Sequence, residues 1–206
     1  MTKLLNLESE RRDAILNAAL KEFTAQGYDK ASTNVIAREA GISKALMFHY
    51  VSSKQELFLV VYDYFSELIK KEYFDVMNYD EKDIFEKLRQ SYLLQIKLSE
   101  KYPFIFEFSK LSQKTNSNEI NKKLEKRICG EHSNCYPKLF DGIDETKFRK
   151  GLNIEKCKQF IFWSNVGFTN QILEEIRNCE KSFLDCNAIM SELDEYFDEL
   201  RKIFYA

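Results

Sequence analysis

The sequence predicts an all-α protein, in which a small N-terminal helix-turn-helix domain precedes a larger helical domain. Only six Gly and two Pro interrupt 206 residues, which favours long helices and few turns. Apolar residues recur at helical spacing along most of the chain. Between residues 32 and 54, two short helices are predicted to meet at a turn that contains Gly41, which is the arrangement of a helix-turn-helix.

The composition is that of a folded protein, with 44% hydrophobic and 31% charged residues. The net charge is −2, but residues 1–55 hold eight Lys or Arg against six Asp or Glu, and the remainder holds 23 against 27. This mild asymmetry places the basic end at the helix-turn-helix and supports DNA binding without establishing it.

The cellular compartment is predicted from three features of the sequence. The five cysteines form no CxxC pair, no apolar run reaches the roughly 18 residues needed to span a membrane, and no signal peptide opens the chain. We therefore expect reduced thiols in a cytoplasmic protein without a membrane segment.

The first helix is predicted from about residue 8 to residue 26, after a mobile lead-in over residues 1–7. Its apolar residues share one face and are expected to be buried: Ile15, Leu16, Ala19, Leu20 and Phe23. Gly27 follows and is expected to end the helix.

Two short helices follow, from about Thr33 to Ala40 and from about Lys44 to Tyr50. Ser32 and Ser43 stand at their N-cap positions, where a side-chain oxygen can accept from the first backbone N–H groups. Gly41 lies between them and takes a left-handed conformation at little cost.

The helix from about Lys44 to Tyr50 must bury some apolar residues in the core and leave other residues exposed if it is to contact DNA. Met47 and Val51 lie four residues apart and are expected to anchor the helix in this way. A fourth helix then begins at about Lys54, because Ser53 and Glu56 have the spacing of a capping box, in which Glu56 binds the Ser53 backbone N–H.

The segment ILNAALKEFTAQGYDKASTNVIAREAGISKALMFHYVSSKQEL resembles the N-terminal domain of the TetR/AcrR family of one-component transcriptional regulators. The resemblance covers roughly residues 10–60, and so many ordered matches in one window are a specific signal. Beyond residue 60 the resemblance is architectural only. It implies a DNA-binding domain over residues 1–55 and an antiparallel helical effector-binding and dimerisation domain over residues 56–206.

Helices are also predicted in the larger domain. Their approximate ranges are 83–100, 103–113, 118–128, 153–177 and 186–204, with a looser connection around Pro137 and Gly142. The run FIFWSNVGF, residues 160–168, is apolar almost all round and is therefore expected to be buried on most sides.

The candidate DNA contacts divide into phosphate and base contacts. Ser32 and Thr33, at a helix N-terminus, can donate to a phosphate. The resemblance implies that Tyr50 and Lys54 also bind the backbone. The candidates for groove contact lie on the two short helices: Asn34, Lys44, Ala45, Leu46, Phe48 and His49.

Leu46 and Phe48 depart from the family pattern, which commonly has Thr and Tyr at these positions. If both side chains face DNA, contact with thymine methyl groups is the natural chemistry, and we expect an A·T-rich, palindromic operator in double-stranded DNA. The alternative is that both belong to the core.

The resemblance implies a homodimer through the helices near 153–177 and 186–204. Reading a palindrome requires two recognition helices about 34 Å apart, which a two-fold dimer supplies. The alternative for the apolar stripe of the last helix is that it only closes the core of one chain.

The resemblance also implies a small-molecule effector that moves the DNA-binding domains apart, most simply a small, largely apolar compound that releases a repressor. Apolar pockets with a few polar groups are typical of such sites. The candidate effector residues are Tyr92, Gln95, Phe104, Phe108, Phe162, Trp163 and Asn170. The alternative is that these aromatic residues are ordinary core.

A metal site and an enzymatic function are both disfavoured. Cys129, His132 and Cys135 are suitable zinc ligands, but a structural site needs a fourth ligand, so an ordinary loop is preferred over a metal or thiol switch. No Gly-rich phosphate loop, G-x-S-x-G or H-E-x-x-H motif occurs, and no cofactor is expected. The remaining alternative is a helical ligand-binding or scaffold protein without specific DNA readout.

Overall fold

The architecture was obtained from a computed structural model, which describes residues 3–111, 115–128, 135–178 and 185–206. These ranges are all-α, as predicted. The helices are α1 (Ser9–Lys30), α2 (Thr33–Glu39), α3 (Lys44–Tyr50), α4 (Lys54–Ile69), α5 (Ile84–Lys101), α6 (Ile105–Leu111), α7 (Asn118–Ile128), α8 (Cys135–Phe140), α9 (Ile154–Asn178) and α10 (Cys186–Phe204). Helix α8 lies where the sequence predicted only a loose connection.

Three short segments differ from α-helical geometry. Lys3–Asn6 and Glu145–Lys147 form 3₁₀ turns, and Lys70–Phe74 continues α4 as a π-helix. Within the described ranges no β-strand forms, although one isolated antiparallel bridge joins Phe148 and Tyr205. None of the helices in those ranges has both the length and the apolar content needed to cross a lipid bilayer.

The chain divides into two compact units. The first unit comprises residues 1–75 and 101–133, and the second comprises residues 76–100 and 134–206. The functional division at residue 55 is a different kind of boundary and stays a prediction.

The core of the first unit forms where α1 packs against α2, α4 and α6. The predicted face of α1 is buried as expected, because its apolar residues recur every three or four positions. Gly27 interrupts the helical backbone with φ +68°, as expected, and a further helical turn continues up to Lys30. The lead-in carries Leu4, which is fully buried.

The core of the second unit brings together the apolar faces of α5, α9 and α10. The predicted stripe of α10 is buried at Ile189, Leu193, Phe197 and Leu200. The prediction that residues 160–168 are buried on most sides was wrong, because Phe160 is 51% exposed and Trp163 is 58% exposed. One face of α9 therefore carries large aromatic side chains that this chain does not cover.

Candidate functional site

The turn between α2 and α3 has the geometry of a Schellman motif. Gly41 has φ +68°, and its N–H donates to the carbonyl oxygen of Arg38 at 3.0 Å. The N–H of Ile42 donates to the carbonyl oxygen of Ala37 at 2.9 Å. These two bonds satisfy the last carbonyl groups of α2 and turn the chain into α3, as the prediction for Gly41 required.

Side-chain caps fix the starts of α3 and α4. The hydroxyl oxygen of Ser43 accepts from the N–H of Leu46 at 3.1 Å, and that of Ser53 accepts from the N–H of Glu56 at 3.0 Å. The prediction for Ser32 was wrong in its chemistry. Ser32 occupies the N-cap position of α2 but makes no side-chain capping bond, and its own N–H donates to Glu22 at 2.8 Å.

Glu56 also differs from the predicted capping box. Its carboxylate accepts from the backbone N–H of Ser52 at 2.6 Å and from the Ser52 hydroxyl, rather than from the N–H of Ser53. These hydrogen bonds, led by the one from the hydroxyl, hold the pKa of Glu56 below its usual value. The connection from α3 to α4 is thereby fixed by a charged acceptor.

One side of helix α3, the predicted recognition helix, is buried in the core, and other residues of this helix are exposed. Met47 and Val51 are almost fully buried, which confirms the predicted anchor. Ala45 and His49 are exposed on the opposite face, and Lys44 is exposed at the first turn of the helix. A short helix held by two apolar residues thus presents a mixed polar and basic surface, as a major-groove helix requires.

The remaining predicted DNA contacts differ in how exposed they are. Asn34 is exposed, while a larger group is half-buried: Ser32, Thr33, Leu46, Phe48, Tyr50 and Lys54. The side chains of Leu46 and Phe48 are therefore neither buried in the core nor fully exposed to solvent. The Lys44 ammonium lies 5.9 Å from the centre of the Phe48 ring, at the outer limit of a cation–π contact. Contact of these residues with DNA stays a prediction.

Lys54 has intramolecular partners that the sequence did not reveal. Its ammonium donates to the carbonyl oxygens of Asp29 at 3.0 Å and Ala31 at 3.1 Å. It also lies 4.9 Å from the centre of the Tyr28 ring. An ammonium has three N–H donors, so these two hydrogen bonds leave one for another acceptor such as a phosphate.

The candidate effector residues fall into both compact units. Phe104 and Phe108 belong to the first, where Phe108 is buried against Phe58 with ring centres 5.7 Å apart. The others belong to the second unit: Tyr92, Gln95, Phe162, Trp163 and Asn170. Their shared role in effector binding stays a prediction.

Tyr92 is the most embedded candidate in the second unit. Its hydroxyl donates to the backbone carbonyl of Asn165 at 3.0 Å and lies 2.8 Å from the Thr169 hydroxyl. The ring packs edge-on against Phe168, with centres 5.6 Å apart. Trp163 and Asn170, by contrast, are exposed on α9. The structure therefore buries Tyr92 against α9 but places Trp163 on a surface.

An open cleft of about 580 Å³ between α4 and α7 was not anticipated from the sequence. Its two cations are already paired: Arg127 with Asp63 at 2.7 Å and Lys123 with Glu119 at 2.8 Å. Because α4 and α7 are distant in sequence, no local pattern could have indicated this cleft. Its paired charges make it a poor candidate for an anion site.

The three residues considered as zinc ligands, Cys129, His132 and Cys135, lie outside the described side chains. Elsewhere in the described ranges, no group of three or more His, Cys, Asp or Glu residues is placed to hold a metal ion.

The described residues form a helix-turn-helix whose second helix is partly exposed, which is the arrangement found in DNA-binding domains. Residues 15–61 match the domain described as bacterial regulatory proteins, tetR family. This description agrees with the class of DNA-binding regulator that the sequence predicted.

Individual relatives support the same assignment. Over 55 residues the chain is 44% identical to the HTH-type transcriptional regulator BetI of Agrobacterium fabrum, and this match covers 27% of each protein. The match thus spans about a quarter of that relative's length.

Two solved structures share the whole fold. The ketosteroid transcriptional regulator KstR2 of Mycobacterium tuberculosis superposes with a TM-score of 0.62 at 18% identity, covering 97% of both chains. AibR, in complex with isovaleryl coenzyme A and operator DNA, superposes with a TM-score of 0.56 at 17% identity, covering 90% of this chain and 96% of that one.

Proposed function

We propose that this protein is a ligand-responsive repressor that binds a palindromic operator as a homodimer and is released by a small, largely apolar effector. The observation that carries this proposal is the recognition helix. Met47 and Val51 bury one side of α3, while Ala45 and His49 are exposed on the opposite side and Lys44 is exposed at the first turn. This places exposed polar and basic residues on the second helix of a helix-turn-helix, the helix that enters the major groove in such domains.

The operator is proposed to be rich in A·T pairs. Leu46 and Phe48 are half-buried, so part of each apolar side chain remains available on the outer side of α3. Apolar side chains recognise the methyl group of thymine in the major groove, whereas Lys44 supplies a donor for guanine or phosphate. We place the phosphate contacts at Ser32, Thr33, Tyr50 and Lys54.

The dimer is proposed to form through α9 and α10, the helices near residues 153–177 and 186–204. The exposed aromatic side chains Phe160 and Trp163 favour this surface, since large exposed apolar groups mark interaction sites and Trp is a frequent energetic anchor. The buried stripe of α10 serves the core of its own unit, so the interface would use the outer faces of the two helices.

The apolar part of the effector is proposed to be an acyl chain. Acyl thioesters of coenzyme A, whose nucleotide part is charged, are the first carriers of such a chain to test. The structure of AibR contains isovaleryl coenzyme A, and AibR shares the whole fold. In this chain the aromatic residues around Tyr92 and Phe162 would contact the apolar acyl part, and the Tyr92 hydroxyl and Gln95 would supply polar contacts. A cytoplasmic location follows from this role.

Binding-site selection from a random duplex pool tests the proposal. The purified protein should enrich an A·T-rich palindrome, and acyl thioesters of graded chain length should release it while coenzyme A alone should not. Failure to enrich any sequence would instead favour a helical ligand-binding or scaffold protein. An enriched G·C-rich site would leave the regulator intact but contradict the thymine-methyl contacts of Leu46 and Phe48.

A further inference from the structure

Asp13, on α1, is the centre of a polar cluster in the first unit. Its Oδ1 accepts from the Tyr102 hydroxyl at 3.1 Å and from the Arg12 guanidinium at 3.2 Å, while its Oδ2 lies 2.7 Å from the Lys101 ammonium. The Asp13 side chain is only 15% exposed. A carboxylate with this many donors at low exposure fixes the position of each of them.

The protonation state of Asp13 agrees with this geometry. Burial alone would raise the pKa of its carboxyl group, but the hydrogen bonds and charges of Lys101, Tyr102 and Arg12 outweigh burial and lower the pKa. Asp13 therefore stays ionised at neutral pH and keeps its donors.

Tyr102 connects this cluster to α4 as well as to α1. Its ring is 2% exposed and packs edge-on against Phe65, with ring centres 4.9 Å apart. Its hydroxyl lies 3.3 Å from that of Tyr64, whose ring lies 6.0 Å from the Arg12 guanidinium carbon. The buried side chain of Tyr102 thus contacts both α1 and α4, the helices that precede and follow the helix-turn-helix.

A second contact lies one helical turn further along α1. The Asn17 amide donates to the backbone carbonyl of Lys101 at 3.2 Å. The side-chain oxygen of Asn17 is buried and has no hydrogen-bond partner among the described residues. Helix α1 therefore contacts residues 101 and 102 through two side chains, Asp13 and Asn17.

We propose that Lys101 and Tyr102 are positioning residues that set α1, and through it the recognition helix, for DNA binding. The inference rests on the proposed function. Helix α1 packs against α2, and α2 packs against α3, so a displacement of α1 is passed to the recognition helix through direct contacts.

Amide hydrogen exchange tests the inference without DNA or effector. The variant Tyr102→Phe keeps the buried ring and removes the hydroxyl, and Tyr62→Phe is the matched control on α4. We expect Tyr102→Phe to speed exchange in α1, α2 and α3 by at least about fivefold, from the loss of hydrogen bonds to a charged group. Exchange in α9 and α10 should stay unchanged, as should exchange throughout Tyr62→Phe.

Two results would overturn the proposal: unchanged exchange in α2 and α3 of Tyr102→Phe, or an equal rise in α9 and α10, which would indicate general destabilisation. If Tyr102→Phe does not fold, Lys101→Met at a 58% exposed side chain replaces it, with the same expectation. On the duplex selected with the wild-type protein, Tyr102→Phe should change affinity by about fivefold or more. If the wild-type protein selects no duplex, the proposed function fails while the exchange result still decides this inference.

Discussion

The ammonium of Lys54 donates to the backbone carbonyl of Asp29 at 3.0 Å, so the first residue of α4 provides a hydrogen bond to the last turn of α1. The last carbonyl groups of a helix carry partial negative charge and are stabilised by a nearby cation. Lys54 therefore has a structural role at the position where the family resemblance implied a phosphate contact. Both roles are compatible, because the ammonium has a third donor.

Replacing Lys54 with Ala is expected to have two separable effects. The free energy of unfolding should fall by about 1 kcal/mol, from the loss of hydrogen bonds to the end of α1. Affinity for cognate and scrambled duplexes should fall by a similar factor, and the salt dependence should weaken by about one counterion. Denaturant titration and fluorescence anisotropy measure these effects. Lys30→Ala, at an exposed lysine near the same helix end, is the control.

Replacing Lys44 with Ala is expected to change base preference rather than stability. Lys44 is exposed and makes only a distant contact with Phe48, so the free energy of unfolding should change by less than about 0.5 kcal/mol. Binding-site selection with the variant should give an altered sequence at the positions that Lys44 reaches. Lys122→Ala removes the same charge from α7. Unchanged affinity and preference in Lys44→Ala would show that this residue lies outside the groove.

Gly41→Ala is expected to destabilise the protein by about 1–2 kcal/mol, because Gly41 has φ +68° and a side chain is strained in this conformation. A Cβ there would meet no atom within 4 Å, so the cost would come from the backbone alone. Gly167→Ala is a matched control, because it lies inside α9 with equal space and should instead stabilise the helix by roughly 0.5–1 kcal/mol. Thermal unfolding of the two variants should therefore shift in opposite directions.

The pH dependence of stability should include a contribution from Glu56. Its pKa is lowered in the folded protein by the Ser52 hydroxyl and N–H, so its ionised form stabilises the fold. That stability is fully present above the unfolded pKa, near 4.5, and is lost as the pH falls through the lower folded pKa. Denaturant unfolding from pH 3 to 7 should show a steeper loss for the wild type than for Glu56→Gln. Parallel curves would contradict the assignment.

Trp163→Glu should dissociate the proposed homodimer, because it places a charge on the exposed aromatic face of α9. Sedimentation velocity should show the variant as a monomer at concentrations where the wild type is a dimer. Trp163→Phe keeps an aromatic side chain and should remain dimeric. A Trp163→Glu variant that stays dimeric and folded would place the interface elsewhere.

The parts of the fold set by local periodicity could be predicted from the sequence. Met47 and Val51 are buried, and Gly41 is left-handed, because spacing and backbone freedom act over a few residues. Side-chain partners were less predictable. Ser32 occupies a capping position, but its side chain does not cap α2, and its N–H donates to the carboxylate of Glu22. Glu56 accepts from the N–H of Ser52, whereas the capping-box pattern predicts the N–H of Ser53.

Long-range features left no signal in the sequence. Asp13 and Tyr102 are 89 positions apart, and no spacing rule connects them. Trp163 was expected to be buried because periodicity records only that a residue is apolar, and an interface has the same pattern as a core. Asp13 and Tyr102 nevertheless support the proposed positioning of α1, and Trp163 supports the proposed dimer interface.

The central claim is tested most directly by titrating the selected duplex and a scrambled duplex of equal length over a range of salt concentrations. A sequence-specific regulator should prefer the selected duplex by about 10³-fold or more, and both affinities should fall linearly on a logarithmic salt scale. Equal affinity for the two duplexes at every salt concentration would contradict the account.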